Sequence, residues 1–203
     1  MKNYFYLIFL LVFLSVGCSS CNKSDHVEQP KQRDYFRLDL PSHEYQFFCS
    51  DTLPFTFEYS TRAYPEVNQL SDTATWLLLH YPNQNASLEM LYKWAKDSTD
   101  LDRLMLADRS FVEFHYQKAS GVKTYDFREL AAKQQVNGLF YDIDGKEVAC
   151  PFHYWMTDGE HNFVRGTLYF NTTPNNDSLR PVINYIREDA MRMIQTFEWK
   201  NNE

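Results

Sequence analysis

The sequence predicts an α+β fold, an antiparallel sheet of about six to eight strands with two main helices. Three observations predict it. Residues 136–170 alternate apolar and polar side chains over three runs separated by short turns. Residues 99–120 and 176–199 instead repeat their apolar side chains every three to four positions. The order of segments is strands, helix, strands, helix, which is not the regular alternation of a parallel α/β sheet.

Taken in order, Tyr45–Phe48 and Phe55–Tyr59 read as short strands around the turn Ser50-Asp51-Thr52-Leu53-Pro54. Thr75–Tyr81 is apolar on both faces and stops at Pro82, the pattern of a central strand. Ala86–Trp94 fits two templates. Ala86, Leu88, Met90, Tyr92 and Trp94 alternate, whereas Leu88, Leu91, Tyr92 and Ala95 fit a helix; the longer match assigns a strand. Pro82–Asn85 is then a hairpin loop. Thr99–Ser120 is a helix whose stripe is Leu101, Leu104, Ala107, Phe111 and Phe114. Thr99 or Asp100 caps it, and Gly121 follows it.

Val122–Tyr125 reads as a short strand, and Phe127–Gln134 as one or two helical turns. The meander is Val136–Asp142, Val148–Met156 and Phe163–Phe170, joined through Asp144-Gly145 and the turn Thr157–His161. The last helix runs from Asn176 or Asp177 to about Trp199, with Val182, Ile183, Ile186, Ala190, Met193, Ile194 and Phe197 on one stripe. Pro181 lies in its first turn, where a missing N–H costs little.

Composition excludes several classes. An aromatic content of 17% excludes a disordered acidic tail. With 6 Gly and 8 Pro the chain is neither a collagen nor a linker. A formal net charge of −7, without a run of Lys or Arg, argues against a nucleic-acid partner.

Residues 1–17 read as an address. A lysine at position 2 precedes an unbroken apolar run from Tyr4 to Leu14, too short to span a bilayer and of the size of a signal-peptide core. Gly17-Cys18 then resembles the bacterial lipobox, in which the chain is cut before a cysteine that takes a diacylglyceryl group and an N-acyl chain such as palmitate. Ser15 stands where the usual pattern has Leu. The other reading is an ordinary secretory signal or an uncleaved anchor. Three acyl chains at Cys18 make a permanent anchor, since each buried methylene contributes about 0.8 kcal/mol. Residues 18–34 are polar and contain no aromatic, so they read as a flexible tether with a coil span of about 20–24 Å. Residues 35–203 are left as one globular domain facing the periplasm.

Cys49 and Cys150 remain in that domain. A Cys49–Cys150 disulfide suits an exported chain, and two buried free thiols suit the apolar neighbours equally. The sequence contains no nucleophile elbow, P-loop, dinucleotide-binding glycine pattern or zincin motif, so no catalytic residue, metal site or cofactor is expected. His153 and His161 flank a turn that holds Asp158 and Glu160, which reads as a solvated polar turn. Arg165 interrupts an apolar strand. It either pairs with Asp158, Glu160 or Asp189, or binds an anionic group of a partner. Tyr154, Trp155, Asp158, His161 and Arg165 are therefore the candidate partner or ligand contacts.

Longer runs are recognisable together. They are Tyr35–Pro41 (YFRLDLP), Pro54–Glu58 (PFTFE), Gly138–Gly145 (GLFYDIDG), Pro151–Asp158 (PFHYWMTD), His161–Asn171 (HNFVRGTLYFN) and Asp177–Val182 (DSLRPV). With them the mature chain resembles the gliding-motility lipoprotein GldD family of Bacteroidota over nearly its whole length. Departures are the doublet His161-Asn162 and a cysteine at 150 where a small residue is usual. The resemblance implies a lipid-anchored envelope protein that supports gliding and type IX secretion through contacts with other envelope proteins, without catalysis. By fold-level analogy alone, the strand and helix order is similar to the PsbP-like α+β sandwiches. Small-ligand or glycan binding is the alternative. A pocket lined by Trp94, Trp155 or Tyr154 would favour the ligand, and a flat apolar patch would favour a protein partner.

Overall fold

A seven-stranded and a three-stranded antiparallel sheet frame the molecule, with two helices, in a computed structural model that describes residues 40–127 and 136–200. The strands are β1 (Tyr45–Cys49), β2 (Phe55–Ser60), β3 (Tyr64–Ser71), β4 (Ala74–Tyr81), β5 (Ala86–Trp94), β6 (Gly121–Asp126), β7 (Asn137–Asp144), β8 (Phe152–Thr157), β9 (Asn162–Phe170) and β10 (Glu198–Trp199). The helices are α1 (Ser98–Tyr116) and α2 (Asn176–Thr196). The predicted α+β class is the observed one. The signal segment, Cys18 and the tether lie outside the described residues, as do seven of the eight residues read as helical turns at 127–134. Among the described residues, no helix is long and apolar enough to cross a membrane.

The large sheet runs β3-β4-β5-β9-β8-β7-β6, and the small one β1-β2-β10. Period-two alternation gives the large sheet two distinct faces. Leu77 and Leu79 on β4, Leu88 and Met90 on β5, Phe152, Tyr154 and Met156 on β8, and Val164 and Leu168 on β9 all point one way. Against them pack α2 and the inner face of the small sheet, through Phe55, Phe57 and Tyr59 on β2 and Val182, Ile186, Ala190, Met193 and Ile194 on α2. Packed rings run through this layer: Phe57 stacks on Phe48 at 4.8 Å, and Phe55 lies tilted 5.0 Å from Phe197. Gly166 is required there. A Cβ at 166 would fall 2.0 Å from the Tyr154 ring, which lies across the strand.

Three local expectations are corrected. Asp97, not Thr99 or Asp100, caps α1: its carboxylate accepts from the Asp100 N–H at 2.9 Å. The strand read as Val148–Met156 begins at Phe152, because Val148 and Cys150 bury their side chains from a loop. Trp199 belongs to β10 rather than to α2, and β3 is an additional strand. β3 sits at a sheet edge with every residue exposed, so its sequence carries no alternation to read.

Candidate functional site

The second face of the large sheet is covered by halves. α1 lies over β7, β8 and β9. Its inner stripe is Leu101, Leu104, Met105, Asp108, Phe111 and Val112, not the predicted line through Ala107 and Phe114; Phe114 is 69% exposed. The centre of that stripe is a carboxylate. Asp108 Oδ1 lies 2.8 Å from His153 Nε2, and His153 Nδ1 lies 2.8 Å from Thr167 Oγ1. All three are buried, and the Phe111 ring sits 5.0 Å from the imidazole. The order Asp-His-Thr imitates a nucleophilic triad, but all three side chains are buried beneath α1. It fastens α1 to β8 and β9 by two hydrogen bonds.

Sequence reasoning missed a second polar cluster on the opposite face. Asp189 of α2 is 2% exposed and lies 2.7 Å from His43 Nδ1, while His43 Nε2 lies 2.9 Å from Glu188. Burial raises the Asp189 carboxyl above its usual range; His43, Ser60 and Tyr81 pull it partly back. Burial, and then Asp189, push the Tyr45 hydroxyl up to about 12. This cluster holds Leu40–Glu44, the segment leading into β1, against α2. No local pattern predicts it, because His43 and Asp189 are distant in sequence.

The predicted contact residues do not assemble into one site. Tyr154 is wholly buried under α2, its hydroxyl directed at the Met193 sulfur at 3.8 Å. Trp155 packs beneath α1 and stacks on Phe163 at 6.2 Å. Asp158 closes its own turn: it accepts from the backbone N–H groups of Glu160, His161 and Asn162 and from the Asn162 amide. Burial raises its carboxyl, but these bonds outweigh that and leave it lowered. His161 donates through Nδ1 to the Ala95 carbonyl at 2.8 Å and stacks on Trp94. The turn is polar and self-satisfied, as read. Among the described residues, no group of His, Cys, Asp and Glu is placed to hold a metal.

Arg165 is half-buried but makes none of the expected pairs. Asp189 is committed to His43 on the other face, and Asp158 to its turn. The Arg165 guanidinium lies 5.3 Å over the Phe111 ring instead. Both thiols are free. Cys49 is exposed at the end of β1 and Cys150 is buried in the α1-side cluster. Burial pushes the Cys150 thiol well above its usual range, and its S–H donates to the Phe152 carbonyl at 3.2 Å.

The other half of this face, over β3, β4 and β5, has no element on it among the described residues. Trp76 is 39% exposed there, with Leu78 and Leu91 half-buried beside it. At one end the surface dips into a pocket of about 400 Å³ whose walls include Tyr64, His80, Ser87, Glu89 and Tyr169. A second pocket, of about 350 Å³, lies between β6, β7 and α2, where Arg180 already pairs with Asp144 at 3.3 Å. Trp94, Trp155 and Tyr154 line neither of these two.

The model of a family described as gliding motility lipoprotein GldD matches residues 25–199. No curated protein and no solved structure matches the chain, so the PsbP-like analogy rests on element order alone.

Proposed function

The chain belongs to the gliding motility lipoprotein GldD family, and from that premise we propose that it acts in the cell envelope by holding another protein, without catalysing a reaction. The observation that carries this reading is the open half of the large sheet. A well-packed antiparallel sheet normally buries at least one face and solvates the other with polar side chains. Here one face is packed, yet the half of the other that no described element covers still presents Trp76, Leu78 and Leu91. Apolar side chains spread over an open sheet surface fit a protein partner better than a small molecule.

Cys18 carries the lipid in this proposal, and the polar tether lets the domain reach partners within a few tens of ångströms of the membrane, on the periplasmic side. Support for gliding and for type IX secretion then follows from contacts with other envelope components. In a gliding host, Cys18→Ala should move the protein from the membrane to the soluble envelope fraction and impair colony spreading and adhesin export. Retention of that variant in the membrane would refute anchoring through Cys18. Normal spreading and export in a strain lacking the protein would refute the role.

A further inference from the structure

We infer that the open half of the sheet receives a segment of a partner protein that seats an arginine or lysine side chain at Glu89 and lays apolar side chains over Leu91, Leu78 and Trp76. This rests on the protein-contact reading above and names the chemistry of the contact. Glu89 stands on β5, near the middle of the large sheet, opposite Leu78 on β4 and Thr167 on β9. It is half-buried, yet no cation pairs with it among the described residues; its one hydrogen bond there is from the Ser87 hydroxyl at 3.4 Å. The cation nearest in register, Arg165, is a diagonal neighbour within reach of a long side chain. It turns instead onto the Phe111 ring.

The other carboxylate on this surface, Glu66, is already satisfied by His80 and Asn68, each at 2.9 Å. Glu89, which lines the pocket, thus has no counter-charge among the described residues. The Tyr64 ring lines the same pocket and stacks on the His80 ring at 4.8 Å. Lys93, one row beyond Leu91 on β5, bounds the far end of the apolar strip. A basic side chain therefore meets opposite charge at the Glu89 end and like charge at the other, which fixes the direction in which a partner docks. The apolar strip beside the pocket is what a free amine would leave uncovered and a flanked side chain would bury.

The test places a photo-crosslinking residue at Trp76, and separately at Phe47 on the outer face of the small sheet, in the full chain in gliding cells. An adduct is expected at position 76 whose partner peptide carries Arg or Lys. Glu89→Lys in the same chain should lower that adduct about tenfold or more, the scale of losing a buried charge pair. Glu89→Gln, which keeps the shape, should lower it less and leave melting unchanged. An adduct at position 76 that is indifferent to Glu89→Lys would overturn the basic anchor. An adduct to glycan or lipid would overturn the protein partner. Protein adducts at position 47 alone would overturn this face while leaving the protein-contact reading intact. No protein adduct at either position would overturn both.

Discussion

The two faces of the seven-stranded sheet are built on different terms. One carries a continuous layer of aromatic and aliphatic side chains, sealed by α2 and the small sheet. The other carries two small clusters under α1, a buried Asp108-His153-Thr167 chain and a half that no described element covers. The first face is a packing solution and gains its strength from area removed from water. The second depends on a few directional bonds and leaves apolar surface unspent. On the proposed reading one face supplies stability and the other recognition, and substitutions on each should separate cleanly.

The largest effect belongs to the packed face. Phe57 is wholly buried among Phe48, Phe55, Tyr59 and Phe197. Phe57→Ala should cost about 3–5 kcal/mol in denaturant unfolding, a large share of a total of about 5–15 kcal/mol. A loss under about 1 kcal/mol would mean that this layer is not what holds the domain.

Asp108→Ala should come next, at about 1–3 kcal/mol, because it leaves the His153 Nε2 buried without a partner. Its signature should be local. Amide exchange should quicken in α1 while α2 and β2 keep their protection. Uniform loss across both faces would show that α1 is integral to the main core. Arg165→Ala should be smaller still. With no carboxylate left behind, it forfeits only the contact with Phe111, about 0.5–1 kcal/mol. A loss of several kcal/mol would reveal a buried ion pair after all.

Legibility in the sequence follows the same division. The meander β7–β8–β9 was readable because its strands are buried on at least one face, so alternation was enforced. The α2 stripe was readable for the same reason. The α1 stripe was misplaced because its centre is Asp108, a residue that hydrophobic periodicity counts against burial; only His153, distant in sequence, makes it an inward position. β3 was invisible because an edge strand exposed on both sides has no pattern to keep. Arg165 stood out as a charge in an apolar strand, but its true neighbour, Phe111, is a property of the tertiary fold. Glu89 did not stand out at all. In an alternating strand a glutamate looks like ordinary solvent-facing filler, and only the missing counter-charge and the uncovered sheet around it mark it.

The smallest expected effect on stability coincides with the largest on function. Trp76→Ser combined with Leu91→Ser removes apolar surface that the isolated domain leaves partly in water. Melting should therefore shift by no more than the equivalent of about 0.5–1 kcal/mol. Colony spreading of cells carrying this double variant, at normal protein level and membrane retention, is the direct test of recognition through the open face. The account predicts that spreading is lost while the purified domain melts nearly as the unsubstituted one does. Wild-type spreading by that variant would contradict it.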